Sequence, residues 1–131
     1  MTVDELVRAL ASEDAADRRA AADAAVQDPE LTGEAAVVLI DALTDEDEEV
    51  RELISAALED CGRVDANPSV LVERLSLPEP AVQYWVATLL GRMGEDAKCV
   101  AGEMRAAKAD APPDVKARIE RMLVKIEGRD G

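Results

Sequence analysis

Histidine and phenylalanine are absent from this 131-residue chain, and it holds one Trp, one Tyr and two Cys. Without His there is no Ser-His-Asp or Cys-His arrangement and no histidine metal ligand. The serines Ser12, Ser55, Ser69 and Ser76 have no base partner visible in the sequence, so no catalytic residue and no metal site is assigned, and no cofactor is called for. Cys61 and Cys99 are too few and too far apart for a disulfide framework or a zinc cluster. No apolar run is long enough to span a bilayer. No basic stretch followed by an apolar one opens the chain as in a secretory signal. A cytoplasmic protein with reduced thiols is expected. With aromatic residues at 2%, the core must come from Ala, Val, Leu, Ile and Met, within a hydrophobic share of 48%. Small and unbranched side chains suit helices packed on helices better than β-sandwiches.

Positive charge is also scarce, with 15 Lys and Arg against 29 Asp and Glu, a formal net charge of −14. Such a field repels phosphate backbones, which argues against nucleic-acid binding. The imbalance is local. Residues 1–66 hold 19 acidic and 5 basic side chains, and residues 67–131 hold 10 of each. The whole excess therefore sits on the first half, where it aids solubility and could steer a basic partner.

A repeat is present. An aliphatic residue followed by a basic or amide one recurs as Val50-Arg51, Val82-Gln83 and Val115-Lys116, at steps of 32 and 33 residues, with Asp17-Arg18 a degenerate copy 33 before Val50. At +3, +4, +7, +8 and +11 from each anchor the residues are mostly apolar. Examples are Leu53, Ile54, Ala57, Leu58 and Cys61, then Trp85, Val86, Leu89, Leu90 and Met93. That spacing is one face of an α-helix and not a strand face. A second helix precedes each anchor, marked by Leu6, Leu39, Leu71 and Met104 at steps of 33, 32 and 33. Helices are predicted near 3–11, 15–27, 33–43, 46–61, 68–76, 80–93, 96–109 and 114–127.

Punctuation supports these limits. Thr2 with Glu5 reads as a capping box. Pro29 is expected to stop the second helix, and Asn67-Pro68 to start the fifth. Gly62, Gly94 and Gly128 are expected past helix ends, where a left-handed residue is useful. No helix pair can bury its apolar face alone, so the pairs must stack. The predicted fold is all-α: a right-handed α-solenoid (α-α superhelix) of about four antiparallel pairs. It forms one domain over 1–131, with repeats near 1–31, 32–66, 67–95 and 96–131.

The stretches 43–51 (Leu43-Thr44-Asp45 to Val50-Arg51) and 82–94 (Val82-Gln83-Tyr84-Trp85 to Met93-Gly94) resemble HEAT repeats. The second is similar to the HEAT-like repeats of phycobilisome lyases. Gln83 and Asp17 depart from the family's Val-Arg pattern. The resemblance implies an interaction scaffold whose second helices line a concave face. It also implies, as an alternative, an accessory subunit or chaperone related to bilin lyases, and more distantly the DNA-handling glycosylase relatives that the charge disfavours. On that implied face the same register puts Arg19, Ala22 and Asp23; Glu52, Ser55, Ala56 and Glu59; Tyr84, Ala87 and Thr88; and Ala117, Glu120 and Arg121. The charged and polar members, with Tyr84 as an exposed aromatic anchor, are the candidate partner-binding residues. The partner expected is another protein, plausibly a basic segment, bound by a monomer. Arg105 and Lys108 replace apolar residues of the earlier copies and suggest a solvated end. Trp85 is expected to meet Arg118 of the next copy in a cation–π contact. Cys61 is expected in the core, and Cys99 near a helix start.

Overall fold

The computed structural model describes residues 1–128, and every regular element among them is helical. The chain forms two compact units, Met1–Ala66 and Asn67–Gly131. The first holds α1 (Val3–Leu10), α2 (Ala15–Gln27), α3 (Pro29–Glu34), α4 (Ala36–Asp41) and α5 (Glu48–Glu59). The second holds α6 (Pro68–Glu73), α7 (Pro80–Met93), α8 (Ala101–Lys108) and α9 (Pro113–Glu127). Short 3-10 segments follow α4 and α6 and precede α8.

Each unit stacks two helix pairs. In the first, α1 packs on α2, and α2 lies along α5. In the second, α6 packs on α7, α8 on α9, and α7 lies along α9. The register explains the packing. Leu6, Leu39, Leu71 and Met104 are all 0% exposed, so the first-helix position is core in every copy. The +4 residues Ala21, Ile54, Val86 and Ile119 and the +8 residues Ala25, Leu58, Leu90 and Leu123 are likewise buried. Burying a leucine-sized side chain contributes roughly 2 kcal/mol, so the first copy, with Ala at both positions, gains least.

Helix starts follow the sequence closely. Thr2 Oγ1 accepts from the Glu5 N–H at 3.2 Å while Glu5 Oε1 accepts from the Thr2 N–H at 3.0 Å, closing the capping box. Asp14, Asp28, Asp47 and Asn67 each accept a backbone N–H at their helix N-termini. Pro68, Pro80 and Pro113 occupy first-turn positions, where the missing N–H costs nothing.

Four expectations are corrected here. Pro29 does not stop α2; it opens α3, and Asp28 is at once the last cap of α2 and the first cap of α3. The helix expected over 33–43 is broken at Ala35, whose backbone leaves the helical region at φ −102° and ψ 19°. The break frees the Gly33 carbonyl, and the Asp65 N–H fills it at 3.0 Å. Gly62 has no positive φ, unlike Gly94 at 60° and Gly128 at 68°. Its N–H instead donates to the Pro29 carbonyl at 3.1 Å, so residues 62–65 run close against α3. A Cβ at Gly33 would lie 2.1 Å from the Arg63 carbonyl oxygen, which only glycine permits. Cys61, finally, lies beyond the end of α5 and is only half-buried. Cys99 is exposed, as its place before α8 suggests.

Candidate functional site

In three of the four copies the residue after the anchor has a shared structural task. The last carbonyls of a helix lack internal partners. Arg18 Nη1 donates to the Ser12 carbonyl at 2.9 Å and to Glu13 at 3.1 Å. Arg51 Nη1 donates to the Asp45 carbonyl at 2.7 Å, and Gln83 Nε2 to the Leu77 carbonyl at 2.7 Å. In three copies, then, the side chain reaches back six residues and fills the turn between paired helices. Gln83 does with an amide what the arginines do with a guanidinium. Lys116 of the fourth copy is exposed.

The acidic run before α5 is built into the first unit. Asp45 takes Arg18 in two hydrogen bonds, at 2.9 and 3.3 Å, with the two side chains only 11% and 10% exposed. Asp47 takes Arg19 in two bonds of 2.9 Å and also caps α5 through the Val50 N–H at 3.1 Å. Glu49 lies 3.2 Å from Arg19. The Arg19 hydrogen bonds lead in holding the Asp47 carboxyl down to about 2, and the same pair raises the Arg19 guanidinium above its usual value. Residues 45–49 therefore act as a clasp between α2 and α5, and Arg19 is a structural member of it.

The other candidate residues separate by exposure. Asp23, Glu52 and Glu59 are exposed on α2 and α5, and Ser55 is half-buried. Glu120 and Arg121 are exposed on α9, with Glu120 3.8 Å from Lys108. Ala22 and Ala87 are buried rather than exposed, and so is Thr88, at 6%. Residues 85–91 of α7 form an unbroken buried run, so α7 has no outward face there. The Thr88 hydroxyl donates to the Tyr84 carbonyl at 2.8 Å and is not free for a partner.

Tyr84 is half-buried and engaged, not a free anchor. Arg118 Nη2 donates to its hydroxyl at 2.7 Å, with the guanidinium carbon 4.7 Å from the ring centroid. The expected Arg118–Trp85 contact is thus replaced. Trp85 is buried, meets Tyr84 edge-on at 5.4 Å, and has Arg92 at 5.9 Å. A guanidinium keeps its charge near water and a hydroxyl, so Arg118 passes the buried indole and settles on the phenol at the surface. Arg105 and Lys108, expected at a solvated end, have side chains 44% and 32% exposed and pair with Glu127 and Glu120 of α9.

Among the described residues no group of His, Cys, Asp and Glu could hold a metal ion. No helix among them is long and apolar enough to cross a membrane. Glu5, Arg19 and Asp47, whose pKa values are shifted, lie in a cap or in the clasp.

Helix pairs stacked in register, with the second helices side by side, define the all-α solenoid class of repeat proteins. The sequence model for HEAT repeats matches residues 36–124, about two thirds of the chain, and the chain belongs to the HEAT repeat family. No curated protein and no solved structure matches it. HEAT repeats generally mediate protein–protein interaction and are typically not catalytic.

Proposed function

We propose that this chain is a non-catalytic protein-interaction scaffold that holds a basic partner on the exposed second-helix residues of its first unit. Asp23 of α2 and Glu52 and Glu59 of α5 carry the charge, and Ser55 lies between them. One observation carries the reading. Residues 1–66 hold only five basic side chains, and Arg18 and Arg19 are spent inside the clasp on Asp45 and Asp47. Asp23 and Glu52 of the outward register thus keep their field for a partner. In the second unit the same register offers Tyr84, already set by Arg118, and Glu120 with Arg121. These add a polar surface of mixed sign.

Affinity capture tests this with three proteins: wild type, a double Asp23→Arg/Glu52→Arg variant, and a control double Asp96→Arg/Asp114→Arg variant. Proteins retained by wild type and control but lost by the first variant support the proposal. Equal retention by all three removes it. Binding through this face must also weaken as salt rises, since exposed charges are screened over about 10 Å at 0.1 M.

A further inference from the structure

The second unit carries a groove of about 650 Å³ beside the ends of α6 and α8. Its floor is apolar: Val72 of α6, Leu77 of the turn before α7, and Ala106 and Ala107 of α8. Leu77 is 39% exposed, one of few large apolar side chains left so open. Glu73, Glu103 and Asp110 line the same groove.

Charge is sorted around α8. Its basic residues Arg105 and Lys108 turn to α9, where they meet Glu127 and Glu120. Glu103 and Asp110 face the groove and have no ion-pair partner among the described residues. The groove is therefore acidic although the unit as a whole balances its charges. Gln83 stands in the groove wall. Its Nε2 is committed to the Leu77 carbonyl, while its Oε1 is buried with no donor.

We propose that the groove docks an amphipathic basic peptide segment of a partner protein. Apolar side chains of the segment sit on Val72, Leu77, Ala106 and Ala107. Its lysines or arginines lie against Glu103 and Asp110, with Glu73, 3.8 Å from Arg74, at the edge. An amphipathic helix that lays its apolar face into a hydrophobic groove is a recurring mode of peptide recognition. Nucleic acid and anionic lipid are repelled by the same carboxylates. The proposal does not rest on the acidic residues of α2 and α5.

The test uses the full chain, labelled for amide NMR, and a synthetic amphipathic helical peptide with leucine on one face and lysine on the other. Two control peptides replace every Leu by Ser, or every Lys by Glu. The Leu–Lys peptide is expected to give saturable shifts confined to residues 72–78, 83 and 103–110, and both controls to bind about tenfold more weakly or worse, a difference of ~1.4 kcal/mol or more. Ala106→Arg, at an exposed helical position that tolerates arginine, is expected to weaken binding by a similar factor. Glu103→Lys should weaken it at low salt and do so less at high salt. Circular dichroism checks that both variants keep their helices. Shifts confined to α2 and α5, equal binding of either control peptide, or no saturable shift overturns the proposal.

Discussion

Arg118 donates to the Tyr84 hydroxyl at 2.7 Å while its guanidinium carbon stays 4.7 Å from the ring centroid, so one side chain ties α9 to α7 in two ways. Tyr84→Phe removes the hydrogen bond and keeps the ring. It should destabilise the protein by about 1 kcal/mol, and Arg118→Ala by more, because the cation–π contact is also lost. Urea unfolding followed by Trp85 fluorescence measures both, since Trp85 lies edge-on to Tyr84 at 5.4 Å. If Tyr84→Phe is as stable as wild type, the hydroxyl is only decoration.

The Arg18–Asp45 pair makes a stronger demand. Arg18 gives hydrogen bonds to Asp45, Ser12 and Glu13 from a side chain that is almost fully covered. Removing one partner strands the other's charge. Asp45→Ala should cost about 3 kcal/mol, with a similar loss for Arg18→Ala. The double variant should lose far less than the sum of the two, and additive losses in a double-mutant cycle would count against a coupled pair.

Acid should loosen the clasp in a defined window. The Asp47 carboxyl falls from the ordinary 3.8 to about 2, chiefly through the Arg19 hydrogen bonds, with the Val50 N–H adding to them. A folded-state pKa below the unfolded one favours the folded chain when the group is ionised. This contribution is complete above 3.8 and is lost as pH falls through about 2. Glu5 shifts in the same direction through its hydrogen bonds with Thr2. Asp47→Asn should therefore flatten the stability–pH curve over that window. A curve parallel to that of wild type would mean that Asp47 titrates alike in both states.

Two glycines should answer differently to alanine. At Gly91 the new methyl would sit 2.1 Å from Met122 Sδ of α9, and at Gly33 it would sit 2.1 Å from a backbone oxygen. Overpacking of this kind costs typically about 1–3 kcal/mol. Trimming Met122 to Ala in the same chain should recover part of the Gly91→Ala loss. No side-chain trim at residue 63 should recover Gly33→Ala, because the obstacle there is main chain. Thermal melts of the single and paired variants check both statements.

The helix-pair register was readable in the sequence because burial repeats with it. Leu6, Leu39, Leu71 and Met104 share one environment, and a step of 32 or 33 residues finds all four. What the register hid depends on atoms off the repeat. The break at Ala35 lies where residues 62–65 dock on α3, and no local pattern in 33–43 announces a distant loop. Thr88 occupies the same register position as exposed Asp23 and Arg121, yet it is buried, because register gives an angle around a helix and not the number of its neighbours. Arg118 lies one position away from where periodicity alone pairs it, since a long side chain can choose between two rings. The clasp at Asp45 and Asp47 could have been suspected. Two arginines on α2 lie 27 and 28 residues before two carboxylates of the acidic run that opens α5.

The back-reaching side chains of Arg18, Arg51 and Gln83 act as a ruler. Each spans six residues to the carbonyl it fills, at 2.9, 2.7 and 2.7 Å. An added or deleted residue between Asp45 and Arg51, or between Leu77 and Gln83, would leave that carbonyl out of reach. The turns inside the pairs are thus gauged to a fixed length, and growth or shortening of this chain has to happen elsewhere.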